Sequence, residues 1–209
     1  MTLILVLPAV FFALAGATGA TGGQGSPTAV VEKLNTALLA AMKGGKKLGF
    51  DGRYALLKPV IDDVFAVETM TRISAGRHWQ LLSPEQQKTL TELYSRWSAA
   101  SYANNFDEYE GQDFDITGES VVGKRADVNS SLIKKDGEGV QFLYKLVQSG
   151  ETWRIVDIHI KGVSQLSNTR AQFTSILERS GYDGLIKSLQ EKIEKLGSGA
   201  GGRSPLQGR

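Results

Sequence analysis

The stretch Asp113–Val163, "DFDITGESVVGKRADVNSSLIKKDGEGVQFLYKLVQSGETWRIVDIHIKGV", decides the fold. It reads as strands separated by turn residues: Phe114 to Val122, Arg125 to Lys135, Val140 to Ser149 and Thr152 to Val163. The connections "VGK", "DGEG" and "SGE" are short enough to force antiparallel neighbours, so four strands in a row make one curled meander. Side chains alternate along a strand. In the third, Val140, Phe142, Tyr144 and Leu146 therefore share a face; in the fourth, Val156, Ile158 and Ile160 do, with Asp157, His159 and Lys161 pointing the other way. Each of these strands offers one apolar face for something to cover.

The flanking segments supply the cover. Ser26-Pro27 is an N-cap followed by proline at the first helical position, and Val30, Val31, Leu34, Ala37, Leu38 and Ala41 repeat at helical spacing to about Lys43, where Gly44-Gly45 stops the helix. A second stretch carries Leu57, Val60, Ile61, Val64 and Phe65, with a kink or restart at Pro59. A short third helix turns Met70 and Ile73 inward and ends near Gly76. "SPEQQKTLTELYSRWSAASYANNF" has Ser83 as N-cap, Pro84 next and Gln86 at the capping-box position. Leu90, Leu93, Tyr94, Trp97, Ser101 and Asn104 then fall on one stripe. That stripe is either a core face grading into solvent or, through Tyr94, Trp97 and Tyr102, the wall of a cavity. Two helices follow the strands, one with Leu166, Phe173, Ile176 and Leu177, the other with Leu185, Ile186, Leu189, Ile193 and Leu196, and Gly181 sits between them as a C-cap. Helices, antiparallel sheet, helices: the order predicts an α+β fold with helices packed on one face of the sheet.

Composition agrees with one soluble globular domain, since 41% of the 209 residues are apolar and 22% charged. Lysine and arginine number 24 against 22 acidic residues with the signs interspersed, which leaves no footprint for nucleic acid. The leader "MTLILVLPAVFFALAGATGA" is an apolar run ending in small residues, with Ala15 and Ala17 as an A-x-A-like cleavage site, and reads as a signal peptide over residues 1–20. It lacks the usual basic start, because no lysine or arginine precedes Lys33. The chain has no cysteine, so neither a disulfide nor a lipoprotein anchor is available and stability must come from burial. The tail "GSGAGGRSPLQGR", residues 197–209, is glycine-rich and expected to be disordered, leaving a folded domain over residues 26–196.

Catalytic signatures are missing. His78 and His159 stand in no metal-ligand spacing, and neither a nucleophile elbow nor a phosphate-binding glycine loop is present, so no cofactor is called for. Asp157 and His159, two residues apart on one strand face, form the single pair with the makings of a general base; the simpler reading puts both on the wet face beside Lys161. The aromatic residues suggest a different use. An apolar groove between helices and a concave sheet suits a lipid chain, which asks for no charged partner.

The segments "FAVETMTRISAGRHWQLLSPEQQKTL", "SYANNFDEYEGQDFDI", "WRIVDIHIKGVSQLSNTRAQFTSIL" and "GYDGLIKSLQEKI" resemble the MlaC-like (toluene-tolerance) family of periplasmic lipid carriers, and within it the hopanoid-biosynthesis-associated, HpnM-like branch. The resemblance runs from about Asp51 to Leu196. It implies a curled antiparallel sheet backed by helices in an NTF2-like shape, with an apolar cavity between the layers. It also implies a periplasmic carrier without catalysis that exchanges a hopanoid or phospholipid with an inner-membrane lipid transporter complex and an outer-membrane acceptor or donor. The family has no short ligand signature. From facing alone, the residues expected to touch lipid are Met70, Ile73, Tyr94, Trp97, Tyr144, Leu146, Val156, Ile158 and Ile160. The alternatives are an NTF2-like enzyme using Asp157 and His159, and a ligand-free interaction module.

Overall fold

The computed structural model describes residues 25–135 and 137–199. The leader and the chain beyond residue 199 lie outside the described residues. Helix α1 (Pro27–Val64) opens where expected, the Ser26 hydroxyl accepting from the Ala29 N–H at 3.1 Å. As the Gly44-Gly45 pair predicts, its regular geometry breaks just past Lys43, at Gly45 (φ +38°), and again at Gly49 (φ +63°), positions that side chains with a Cβ disfavour; a second helical stretch then runs through Pro59 to Val64. Buried Arg53 binds the kink to the next layer, its Nε donating to the Ala103 carbonyl and Nη1 to the Gly45 carbonyl, each at 2.8 Å.

Helix α2 (Val67–Ala75) stops at Gly76 (φ +57°) and gives way to a 3₁₀ turn, Gly76–Leu81. Helix α3 (Pro84–Asn105) begins with the full capping box: the Gln86 N–H reaches the Ser83 hydroxyl at 3.2 Å and the Ser83 N–H reaches Gln86 Oε1 at 2.9 Å. Strands β1 (Asp113–Val122), β2 (Arg125–Ile133), β3 (Gly139–Ser149) and β4 (Thr152–Ile160) form the expected meander. The sheet has five strands rather than four. The last predicted strand turns at Lys161-Gly162, both at positive φ, and returns as the two-residue β5 (Val163–Ser164), pairing with His159 and Ile160. Helix α4 (Gln165–Gly197) follows at once, its two predicted halves joined through Gly181 at φ +65°.

A bulge shifts the face of β4. Tyr144 opposes Ile158 and Lys145 opposes Asp157, but Leu146 opposes Ile155, so Val156 is the extra residue. Ile155, fully shielded, takes the inward position expected of Val156.

Two apolar cores result. One joins α1 and the C-terminal half of α3 to the inner face of the sheet, around Leu34, Ile61, Val128, Tyr144 and Ile155. The other is wholly helical, with Leu90, Leu93 and Tyr94 of α3 against Phe173, Leu185 and Leu189 of α4. Val67 and Met70 of α2 pack on both. Helix α3 runs through both cores, and the space between them is where the chain leaves a cavity.

Candidate functional site

A cavity of about 270 Å³ lies between the sheet and the helices, close to the lower end of the roughly 300–1,000 Å³ usual for ligand sites. Its floor is Phe142 and Tyr144 of β3 with Ile158 and Ile160 of β4. Leu38 of α1, Phe65 and Met70 close one side, and α3 contributes Tyr94, Trp97, Tyr102 and Phe106. These rings brace one another: Tyr102 stacks on Phe106 at 5.8 Å and meets Phe65 at 5.9 Å, and Tyr94 meets Trp97 edge-on at 5.7 Å. Leu166 of α4 completes the apolar part, and Ser98, Ser101, Asn105, Gln165 and Thr169 add a polar margin.

Six of the nine residues expected at the site, Met70, Tyr94, Trp97, Tyr144, Ile158 and Ile160, line this cavity. The other three do not. Ile73 borders a separate surface depression with Trp79, Gln80 and Arg170, because the buried face of α2 is Thr71, Ser74 and Ala75, one position round the helix. Leu146 is buried farther along β3, within the sheet core, and Val156 is carried off the inward face by the bulge. Facing alone did not single out Leu38, Phe65, Phe106, Phe142 or the residues of α4's first turn. The signal for the last group was present in the short step from β4 into a helix, which has to lie against the strand it has just left.

Burial sets the chemistry of the three tyrosines. Removal from water pushes Tyr94 up to about 12 and holds Tyr102 and Tyr144 well above the ordinary phenol range, so all three line the cavity as neutral groups. The Tyr144 hydroxyl meets Asn35 Oδ1 at 3.3 Å, and Asn35 Nδ2 donates to Ser130 at 3.2 Å, a buried polar bridge between α1 and the sheet.

Asp157 borders the cavity but is not a free base. Its Oδ1 accepts the Leu166 N–H at 2.9 Å and its own neighbour's N–H, from Ile158, at 2.8 Å. Its Oδ2 accepts the Ser164 hydroxyl at 2.6 Å and lies 3.1 Å from His159 Nε2. The carboxylate thus fastens the N-terminus of α4 to β4, using the helix end's affinity for negative charge. Among the described residues no group of three or more His, Cys, Asp or Glu is placed to hold a metal ion.

Residues 32–191 match the family model described as MlaC protein. The chain belongs to the MlaC family. Among relatives of this MlaC-family chain, the toluene tolerance protein ttg2D of Pseudomonas putida is 26% identical over 166 residues, 76% of each chain. The intermembrane phospholipid transport system binding protein MlaC of Haemophilus influenzae is 28% identical over 126 residues, 57% of this chain and 58% of that one. The phospholipid-binding protein from Ralstonia solanacearum, solved in complex with a phospholipid, superposes with a TM-score of 0.71 at 24% identity, covering 80% of this chain and 97% of that one. The MlaC fold is therefore shared, with α+β layers and an antiparallel sheet.

Proposed function

We propose that the chain is a periplasmic lipid carrier that holds the apolar part of one lipid between the sheet and α3–α4 and shuttles it between the inner and outer membranes. The observation that carries this reading is the cavity itself: twelve of its 18 lining residues are aliphatic or aromatic, in a chain of the MlaC family. Met70, Tyr94, Trp97, Tyr144, Ile158 and Ile160 are the proposed lipid contacts. Relatives described as a phospholipid transport binding protein and a phospholipid-binding protein support lipid as the ligand class. The resemblance to the hopanoid-associated branch supports a hopanoid as the cargo, with phospholipid as the alternative. An inner-membrane transporter complex and an outer-membrane acceptor or donor are the partners such a shuttle requires, and the apolar leader supports export.

A whole lipid needs more room than about 270 Å³, so uptake on this reading parts the helical core from the sheet. The test is mass spectrometry of an organic extract of the protein purified from a bacterium that makes both hopanoids and phospholipids. One stoichiometric lipid is expected, and its mass names the cargo. Folded protein that yields no lipid, and whose melting temperature no lipid raises, would overturn the carrier.

A further inference from the structure

The outer side of the cavity wall carries a feature of its own. Met70 of α2 and Thr169 of α4 line the cavity, whereas Ile73 and Arg170, a step further along the same helices, border a surface depression with Arg72, Gly76 and Trp79. Cations stand at its rim. Arg72 and Arg170 are both exposed, and among the described residues neither guanidinium takes part in an ion pair or a hydrogen bond. Glu68, one turn back along α2, does not reach Arg72, and Glu178 is already met by Arg77 at 2.6 Å.

Apolar side chains accompany the charge. Ile73 and Trp79 are half-buried at the depression, and Leu81, at the end of the 3₁₀ turn, is 78% exposed. The backbone beneath them is fixed: the Trp79 carbonyl accepts the Leu82 N–H at 3.3 Å and Gln87 Nε2 at 3.0 Å, which pins the turn to the start of α3. Gly76, held at φ +57°, offers bare backbone to the guanidinium of Arg170, since a Cβ there would lie 3.7 Å from its Nε. The patch is therefore built before anything binds it.

A guanidinium presents its N–H groups as a fork that fits a phosphate two bonds at a time. Tryptophan and an exposed leucine are side chains that settle where headgroups meet acyl chains. A layer of phosphates over hydrocarbon satisfies both at once. We infer that the patch formed by α2, the 3₁₀ turn and the adjoining face of α4 docks the protein on the surface of an anionic phospholipid bilayer. Arg72 and Arg170 meet phosphates, and Trp79 and Leu81 enter the boundary below them. Docking turns the α2–α4 wall of the cavity, with Met70 and Thr169 on its inner side, towards the membrane.

The test is flotation of the full chain with vesicles at physiological ionic strength. Vesicles of phosphatidylglycerol and phosphatidylcholine in equal parts are expected to bind it about tenfold or more tightly than phosphatidylcholine alone. Each arginine near such a surface strengthens binding on the order of fivefold, so the double variant Arg72→Gln, Arg170→Gln is expected to weaken it roughly twentyfold. Leu81→Ser should weaken it further. The control is Lys46→Gln, Lys47→Gln, which removes the same charge from exposed positions at the kink of α1, by the opposite end of α3. It should change binding by less than about twofold, because screening confines the attraction to charges close to the membrane. Equal losses in the two double variants overturn the inference and reduce the attraction to net charge. Failure to float with either vesicle also overturns it, and turns the search towards an acidic protein surface. Neither outcome touches the carrier, because flotation reads protein held on the vesicle and lipid taken into the cavity is read from extracts of unbound protein.

Discussion

The sheet core and the helical core are filled with the same kinds of residue but fastened in different ways. In the sheet core α1 lies directly on the strands, Leu34, Leu57, Ile61 and Ile155 are fully shielded, and Asn35, Ser130 and Tyr144 bridge the layers with buried hydrogen bonds. The helical core shields Leu90, Phe173, Leu185 and Leu189 equally well, yet between it and the sheet lies the cavity. Its polar attachment to β4 is concentrated at Asp157, which holds the first turn of α4. Dense packing makes one part a scaffold. The other is a cover that shares α3 with the scaffold and is tied to β4 at the first turn of α4.

The largest expected effect comes from hollowing the scaffold. Leu57 is fully shielded and lies off the cavity, so Leu57→Ala removes packing with no ligand to compensate and should cost roughly 2–5 kcal/mol in urea unfolding. A loss of less than about 1 kcal/mol would mean that the scaffold is as loosely filled as the cover. Arg53→Ala comes next. It strands the carbonyls of Gly45 and Ala103 and should cost about 2–3 kcal/mol, since each loses a charged donor. The same urea midpoint reads it, and a midpoint equal to that of the unaltered chain would show that the kink in α1 holds without its bracket.

Loosening the cover should cost less and move more. Asp157→Ala deletes the acceptor at the start of α4 and is expected to cost about 0.5–2 kcal/mol, the usual worth of a helix cap. Hydrogen exchange separates this from general destabilisation: the Leu166 amide and the first turn of α4 should exchange faster, while amides of β2 and β3 keep their protection. Equal loss of protection in the sheet would break the comparison, because cover and scaffold would then open as one unit.

Much of this division was legible in the residues. The turn sequences "VGK" and "SGE" specify the meander, and Ser83, Pro84 and Gln86 specify the start of α3, because local hydrogen bonds and backbone restrictions decide both. The β4 bulge was harder to see. Its trace is a break in parity: Trp153 and Ile155 alternate in one phase and Ile158 and Ile160 in the other, and choosing the second phase for the whole strand put Val156 inside. The break of α1 at Gly45 was legible in the Gly44-Gly45 pair, but the closure of that kink by Arg53 was not, since Arg53 reaches the Ala103 carbonyl only once α3 is in place. Long-range partners also account for the latch at Asp157. A carboxylate on an outward strand face looks like a solvated charge until the helix after β5 folds back onto it.

The smallest effect at neutral pH is expected at Tyr94, where the cover meets the cavity. Tyr94→Phe keeps the ring and its contacts with Trp97 and Phe173, so at pH 7 stability should change by about 1 kcal/mol or less. The difference appears in alkali. In the unfolded chain Tyr94 ionises near the ordinary 10.0, whereas burial holds its proton in the folded chain up to about 12. Between those values the unfolded chain binds fewer protons, and stability falls with rising pH. The contribution is complete below pH 10.0, declines as the pH passes through about 12, and is absent in the phenylalanine variant. The remaining tyrosines titrate alike in both proteins and cancel. The stability advantage of the unaltered chain should therefore shrink from about pH 10.0 to about 12, measured by urea titration at each pH. An advantage that stays level across that range would mean that water reaches the Tyr94 hydroxyl in solution, and that the cover stands open there.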